Sequence, residues 1–223
     1  MKRLIVEPTL AFDEAAEWAT DDERAIAGGF APARAREYLA WRAVVRREIG
    51  RDAAIAYNAA GAPMLTNYPL HLSVSHCRER AADSRKPSDG SGRVAVAISD
   101  APCAVDIEPL SRNFRRAMPR YLSPAEQQLS DNPLFPAVAW CAKETLFKYA
   151  ASTTGHSLDL LRDLHIDRIQ FPQSTPHDTP CDTPCGIPEN IPCGTLFADI
   201  LNEKPIVLRF YEHEGFAVVC LFE

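Results

Sequence analysis

The chain has 223 residues, 46% hydrophobic, 24% charged and 9% aromatic, with a net charge of −6; that is the profile of an ordinary globular protein, long enough for one large domain or two small ones. The acidic balance excludes a generic nucleic-acid binder, which needs a basic surface, and no apolar run reaches the length of a membrane span. Seven cysteines, scattered among apolar stretches and one loop, do not make a disulfide framework, and Glu7 and Pro8 interrupt the first apolar run too early for a signal peptide, so the expectation is a cytoplasmic protein with reduced thiols.

In chain order, "KRLIVEP" reads as a short strand ended by Pro8, and "FDEAAEWATDDERAIAGGF" as two short helices stopped at Gly28 and Gly29. From Pro32 to Ile49 the spacing predicts an amphipathic helix. Tyr38, Leu39, Val45 and Ile49 face a core, arginines 34, 36, 42, 46 and 47 crowd the other sides, and Gly50 closes it. "GAPML" is a turn entering an extended segment. "LHLSVSHC" alternates as a strand, Leu72 and Val74 on one face and Ser73 and Ser75 on the other. A polar loop between Arg78 and Arg93 leads to the strands "VAVAIS" and "CAVDIE". Ser123, Pro124 and Glu126 form a helix-start signature, and Pro133 and Pro136 end that element and open a long helix through "WCAKETLFKYA". Four strand-like runs finish the chain, and a low-complexity loop at about 172–194 separates the first two. Helices running into antiparallel-looking strands, twice, make the class α+β.

The chemistry concentrates in two segments. In "VDIE", Asp106 and Glu108 share one face of a strand while Val105 and Ile107 turn to the core. Two carboxylates side by side repel unless a cation or protons lie between them; the alternative is a strand end in water. In "WCAKETLFK", Trp140, Lys143, Glu144, Phe147 and Lys148 follow the i, i+3, i+4, i+7, i+8 pattern of one helical stripe. Aromatics can anchor that stripe and leave its charges at the edge of the buried zone; the alternative is ordinary i,i+4 pairing of Glu144 with Lys148. Three carboxylates with two lysines suit a magnesium ion and a diphosphate, where positioning and electrostatics supply most of the rate. Ser75 and His76, where a strand leaves its sheet, can hydrogen-bond phosphate. As neighbours on a strand they point oppositely and cannot form a nucleophile–base pair, and no Gly-x-Ser-x-Gly, Walker loop or dinucleotide glycine fingerprint is present.

The order and spacing of "GAPML", "SVSHC", "CAVDIE", "SPAEQ" and "WCAKETLFK" resemble the 4'-phosphopantetheinyl transferase superfamily, in its larger, two-lobed surfactin-synthetase-activating type. The resemblance implies two similar lobes related by a pseudo-twofold, an N-terminal lobe over 1–100 and a C-terminal lobe over 101–223, with the active site in the cleft between them. It implies Mg²⁺-dependent (or Mn²⁺-dependent) transfer of phosphopantetheine from coenzyme A to a serine of an apo acyl or peptidyl carrier protein, releasing 3',5'-ADP, by a monomer. Asp106, Glu108 and Glu144 match the metal ligands and Lys148 the diphosphate contact. Glu144, or a metal-bound water near it, matches the proton acceptor. Ser75 and His76 match contacts to coenzyme A phosphates, Lys143 lies in the motif with a less defined role, and Arg42, with Arg36 second, is the candidate for the 3'-phosphate. A catalytically silent carrier-binding module of the same fold is the alternative, and a nucleotide phosphatase using the same metal site is a third reading. The sequence departs from the pattern at Ala104, Ala62 and Cys77, where glycine, lysine and serine are usual; none of these is a metal ligand.

Two other features stand outside the motif. Arg112, Arg115, Arg116 and Arg120 make a basic patch suited to docking an acidic carrier protein, or simply a solvated basic face. His177, Cys181, Cys185 and Cys193 could be read as zinc ligands, but their spacing is irregular and an unstructured insertion is preferred.

Overall fold

The structure is a computed structural model that describes residues 1–78, 92–154, 158–172, 191–201 and 205–223. The residues between Arg78 and Gly92, and the low-complexity segment from 173 to 190 with His177, Cys181 and Cys185, lie outside the described residues.

Strand parity organises the fold. The first sheet has the order β1 (Lys2–Pro8), β5 (Gly92–Ser99), β4 (His71–Arg78), all antiparallel. The second has the order β6 (Cys103–Pro109), β10 (Phe216–Phe222), β9 (Ile206–His213), β8 (Cys193–Ile200), β7 (Leu164–Gln170). A small hairpin pairs β2 (Ile55–Tyr57) with β3 (Pro63–Leu65). Because alternate side chains point to opposite faces, Val94, Val96 and Ile98 of β5 join Leu72 of β4 in a core beneath the long helix α3 (Pro32–Ile49). Ala95 and Ala97 point the other way, to a core shared with Val105, Ile107, Val218 and Cys220 of the second sheet. The opposite face of that sheet, with Ala104, Ala217 and Val219, packs on α4 (Phe135–Thr153) through Val138, Cys141, Ala142 and Leu146. The layers therefore run α3, first sheet, second sheet, α4: an α+β arrangement with apolar cores on both sides of each sheet.

Two helices before α3 complete the N-terminal half. α1 (Phe12–Ala16) and α2 (Asp21–Gly28) cover the outer side of α3, where Ala35, Leu39 and Ala43 meet Ala15 and Ala27. α2 begins on a capping box, with the Thr20 hydroxyl accepting from the Glu23 N–H and Glu23 accepting from the Thr20 N–H. The amphipathic reading of α3 is therefore corrected: it is buried on two faces. Arg42 and Arg46, expected on its polar sides, are 2% and 3% exposed and converge on the Glu23 carboxylate at 3.2 and 2.6 Å. Burial raises the Glu23 carboxyl, but the hydrogen bond from Arg46, the Thr20 N–H and both guanidinium charges more than offset it and hold it below its ordinary value.

The Ser123–Glu126 capping box forms as read: Ser123 N–H donates to Glu126 Oε2 at 2.7 Å and Glu126 N–H to Ser123 Oγ at 3.3 Å. It starts only a 3-10 turn, Glu126–Gln128. The basic segment after β6 forms another short 3-10 helix at Arg115–Arg120. No helix among the described residues is long and apolar enough to cross a membrane.

Candidate functional site

The site grows from the meeting of β4, β6 and α4. β6 is the edge strand of its sheet, paired by backbone only to β10, and it lies against β4. Serine hydroxyls bridge the two strands. Ser73 Oγ accepts from the Val105 N–H at 3.1 Å, and Ser75 Oγ accepts from the Ile107 N–H at 3.4 Å and donates to Asp106 Oδ1 at 2.7 Å. The parity that turns Val105 and Ile107 between the sheets turns Asp106 and Glu108 toward α4.

α4 meets them with Trp140, Glu144 and Lys148. Lys148 Nζ donates to Asp106 Oδ1 at 2.7 Å and to the Val105 carbonyl at 3.1 Å. Trp140 Nε1 donates to Glu108 Oε1 at 2.9 Å, and Arg112 reaches the same oxygen at 2.9 Å while lying over the Phe114 and Trp140 rings. Glu144 takes no part in an ion pair or hydrogen bond among the described residues. Burial first, then the charges of Asp106 and Glu108, push the Glu144 carboxyl up; burial and Asp106 push up Glu108. Glu144 and Glu108 thus both feel the negative charge of Asp106.

The donor set fits a hard dication in one specific respect. Asp106 is 4% exposed and its Oδ2 is a buried oxygen with no hydrogen-bond partner, while Oδ1 is occupied by Ser75 and Lys148. A buried carboxylate oxygen without a hydrogen-bond partner, with two more carboxylates nearby, is a group that a hard dication would satisfy. The three groups do not form a ready-made cage: among the described residues no group of three or more His, Cys, Asp or Glu side chains is gathered around one point. The Glu108 oxygen bound by Trp140 and Arg112 accounts for part of this, since like-charged carboxylates settle on the nearest donors.

Beside this acidic group a crevice of about 370 Å³ opens between α3, β4, the β2–β3 turn and the C-terminal half of α4. Lys148 lines it, as do Phe147, His76, Arg34 and an aromatic wall of Tyr38, Trp41 and Tyr57. The β2–β3 turn is built by Asn58: its Oδ1 accepts the N–H groups of Ala60 and Ala62 at 3.0 and 2.9 Å. Its Nδ2 ties the turn to the Ala151 carbonyl of α4 at 2.9 Å. Gly61 sits at φ 80°, the left-handed region that favours glycine. Lys148 and Ser75 both line the crevice and both reach Asp106, while Asp106, Glu108 and Glu144 do not themselves line it.

The structure places several of the residues singled out in the sequence differently from the expectation. Lys143 is not at the site: it is 0% exposed, with Nζ 2.6 Å from Glu126 Oε1 and hydrogen-bonded to the Leu164 carbonyl. Five positions of about 100° each put Lys143 and Lys148 about 140° apart around the axis, so the two lysines leave the stripe on opposite sides. Arg42 is not a crevice cation either. Its guanidinium lies between the Tyr38 and Trp41 rings, 3.6 and 4.1 Å from their centroids, and donates to Glu23, the Tyr38 carbonyl and the Tyr57 hydroxyl. Ser75 lines the crevice, is 7% exposed and gives its hydroxyl proton to Asp106. Arg112 of the basic patch pairs with Glu108 and stays exposed, as do Arg115, Arg116 and Arg120. Arg36, the second choice for the 3'-phosphate, is half-buried with an unpartnered Nε and does not line the crevice.

His76 does line the crevice, with Nδ1 3.7 Å from Glu37 Oε1. Burial pulls its imidazole down, the Glu37 carboxylate opposing. Glu37, which the sequence reading passed over, also holds Arg78 and lies 4.0 Å from Arg34, so one buried carboxylate sits beside Arg34, His76 and Arg78. Arg34 places an exposed guanidinium on the crevice lining. The aromatic wall was missed as well; the Asn58-to-Gly61 turn is the one sequence signal that could have located its neighbourhood.

Comparison with curated proteins finds no match. Residues 102–185 match the model of a known family, described as the 4'-phosphopantetheinyl transferase superfamily. The matched segment runs from β6 through α4 and β7, and so contains Asp106, Glu108, Glu144 and Lys148. Over this segment, the one that carries the acidic group, the chain is similar to the 4'-phosphopantetheinyl transferase superfamily.

Proposed function

We propose that the chain is a Mg²⁺-dependent 4'-phosphopantetheinyl transferase of the two-lobed type. It moves the phosphopantetheine arm of coenzyme A to a serine of an apo acyl or peptidyl carrier protein and releases 3',5'-ADP. The lobes are 1–100, around α3 and the first sheet, and 101–223, around α4 and the second sheet, related by a pseudo-twofold. The observation that carries the reading is the position of Lys148, on one side bonded to Asp106 of the acidic group and on the other lining the crevice. A ligand in the crevice that presents its diphosphate to Lys148 presents it to the acidic group too.

Asp106 Oδ2, Glu108 and Glu144 would hold the dication, which supplies charge neutralisation on the diphosphate oxygens. Lys148 has three N–H donors, two of them engaged with Asp106 and Val105; the third serves a diphosphate oxygen on the leaving side. The carrier serine oxygen attacks the phosphorus next to pantetheine as the bond from that phosphorus to 3',5'-ADP breaks. Glu144, which makes no hydrogen bond or ion pair among the described residues, or a water beside it, takes the serine proton. Tyr38, Trp41 and Tyr57 provide flat apolar surface for the nucleotide end, with Arg34 and His76 near its phosphate.

Incubation of the protein with coenzyme A, Mg²⁺ and an apo carrier protein, read by the mass of the carrier, tests this reading. Gain of one phosphopantetheine, abolished by EDTA, is the expected result. Carrier binding without mass gain would instead mark a silent binding module, and coenzyme A cleavage without carrier a phosphatase.

A further inference from the structure

The turn between β2 and β3 forms part of the crevice almost without side chains. Ala60, Gly61 and Ala62 line the crevice, and with Ala59 they leave Asn58 as the one residue from 58 to 62 whose side chain can hydrogen-bond. Their N–H groups are spent inside the turn. Those of Ala60 and Ala62 go to Asn58 Oδ1, that of Gly61 goes to the Asn58 carbonyl at 3.0 Å, and the Asn58 N–H goes to the Ala62 carbonyl at 2.9 Å. The turn therefore meets a ligand as a shaped apolar wall, and what matters is where that wall stands. Asn58 sets the place. Its Nδ2 donates to the Ala151 carbonyl in the last turn of α4, where helix carbonyls have no N–H four residues on inside the helix. Ala151 lines the crevice from that side, with Phe147, Lys148 and Ser152. A flipped amide would set its NH2 against two N–H groups and its oxygen against a carbonyl, so the three partners together fix one orientation.

We propose that Asn58 is a positioning residue of the crevice: one end of its amide folds the β2–β3 turn and the other pins that turn to α4, holding two walls at the separation that accepts coenzyme A. The inference rests on the reading that the crevice takes coenzyme A. Ser73 and Ser75 join the first sheet to β6, and Asn58 makes a separate join between the hairpin and α4. The turn carries no side chain that exchanges a proton and no spare N–H at Ala60, Gly61 or Ala62. The clasp thus acts on binding and not on the chemical step, and its loss removes binding that is equal in the ground and transition states. One amide hydrogen bond sets the scale, about 2- to 10-fold in affinity.

The test separates the two ends of the amide in the full chain. Asn58→Asp keeps an oxygen for the Ala60 and Ala62 N–H groups and loses the donor to Ala151. Asn58→Ser supplies a neutral oxygen to the turn, as serine does in turns, and ends a bond short of the Nδ2 position. Asn58→Ala loses both ends. Coenzyme A affinity by calorimetry, steady-state transfer to an apo carrier protein, amide hydrogen exchange and thermal melts are measured for the wild type and the three variants. Asn58→Asp and Asn58→Ser are expected to bind coenzyme A about 2- to 10-fold more weakly, with KM raised by the same factor and kcat unchanged. The loss in Asn58→Asp persists at high salt, which screens its added charge. The Ala60 and Ala62 amides stay protected in Asn58→Asp and exchange faster in Asn58→Ala. Three outcomes would overturn the inference: wild-type coenzyme A affinity in Asn58→Ser, a fall in kcat at unchanged KM, or amide protection lost in Asn58→Asp as fully as in Asn58→Ala. A wild-type protein that binds no coenzyme A overturns the reading of the crevice itself, and so separates that failure from failure of the Asn58 assignment alone.

Discussion

Replacing Lys143 by methionine separates the structural account of this lysine from its motif-based one. Lys143 is wholly buried, 2.6 Å from Glu126 Oε1 and bonded to the Leu164 carbonyl. Burial pulls the ammonium down, while Glu126, itself raised by burial, is held below its ordinary value by Lys143 and by the N–H groups of Ser123 and Ile166. The close contact and the extra hydrogen bonds to Glu126 favour a charged pair. Methionine keeps the volume and removes the cation, which strands the Glu126 charge in the core; such removals cost about 3–5 kcal/mol. Glu126 keeps two backbone donors, so about 3–4 kcal/mol is expected, a melting-point fall of roughly 6–16 °C for a chain of this size. Calorimetric melts in EDTA measure it, and adding Glu126→Gln should recover part of the loss, a coupling that the double-mutant cycle isolates. At temperatures well below the melt, the Michaelis constant for coenzyme A should not change. A variant that melts with the wild type but binds coenzyme A poorly would refute the reasoning and return Lys143 to the substrate.

Glu144→Gln should stabilise the metal-free protein at neutral pH while abolishing transfer. The folded Glu144 carboxyl is raised by burial and by Asp106 and Glu108. Its contribution is therefore fully favourable below the unfolded value of about 4.3 and is lost as pH rises through the folded value. The melting-point advantage of the variant should thus grow from pH 4 to neutrality; a flat difference would argue against crowded carboxylates. Reversing Arg115 and Arg116 to glutamate, both exposed, should raise the Michaelis constant for an acidic carrier and leave that for coenzyme A unchanged, as measured by steady-state kinetics. Ala62→Lys restores a cation on the crevice wall; a partly exposed ion pair contributes up to about 1 kcal/mol, so coenzyme A should bind up to about fivefold tighter by calorimetry.

What could be read from the chain was local. The alternation of "VDIE" places Asp106 and Glu108 together because strand parity is fixed by the backbone, and the Ser123–Glu126 capping box needs only neighbours three apart. The helical stripe was legible in period but not in phase: Trp140, Glu144 and Lys148 turn to the site, and Lys143 falls over the edge toward Glu126. Partners distant in sequence were beyond reach. Ser75 meets Asp106, and Arg42 and Arg46 meet Glu23, only because the β4–β6 contact and the cover of α1 and α2 bring them together. A sequence rule that sends arginines to solvent has no access to that cover. Glu37 and the aromatic crevice wall were missed for the same reason, since each matters through what folds against it.

The most direct test of the account is anomalous diffraction from a crystal grown with Mn²⁺ and coenzyme A. The account predicts one strong peak in contact with Asp106 Oδ2, Glu108 and Glu144, with the coenzyme A diphosphate beside it, within reach of Lys148. A peak elsewhere, or coenzyme A bound with its diphosphate away from Lys148 and the three carboxylates untouched, would contradict it.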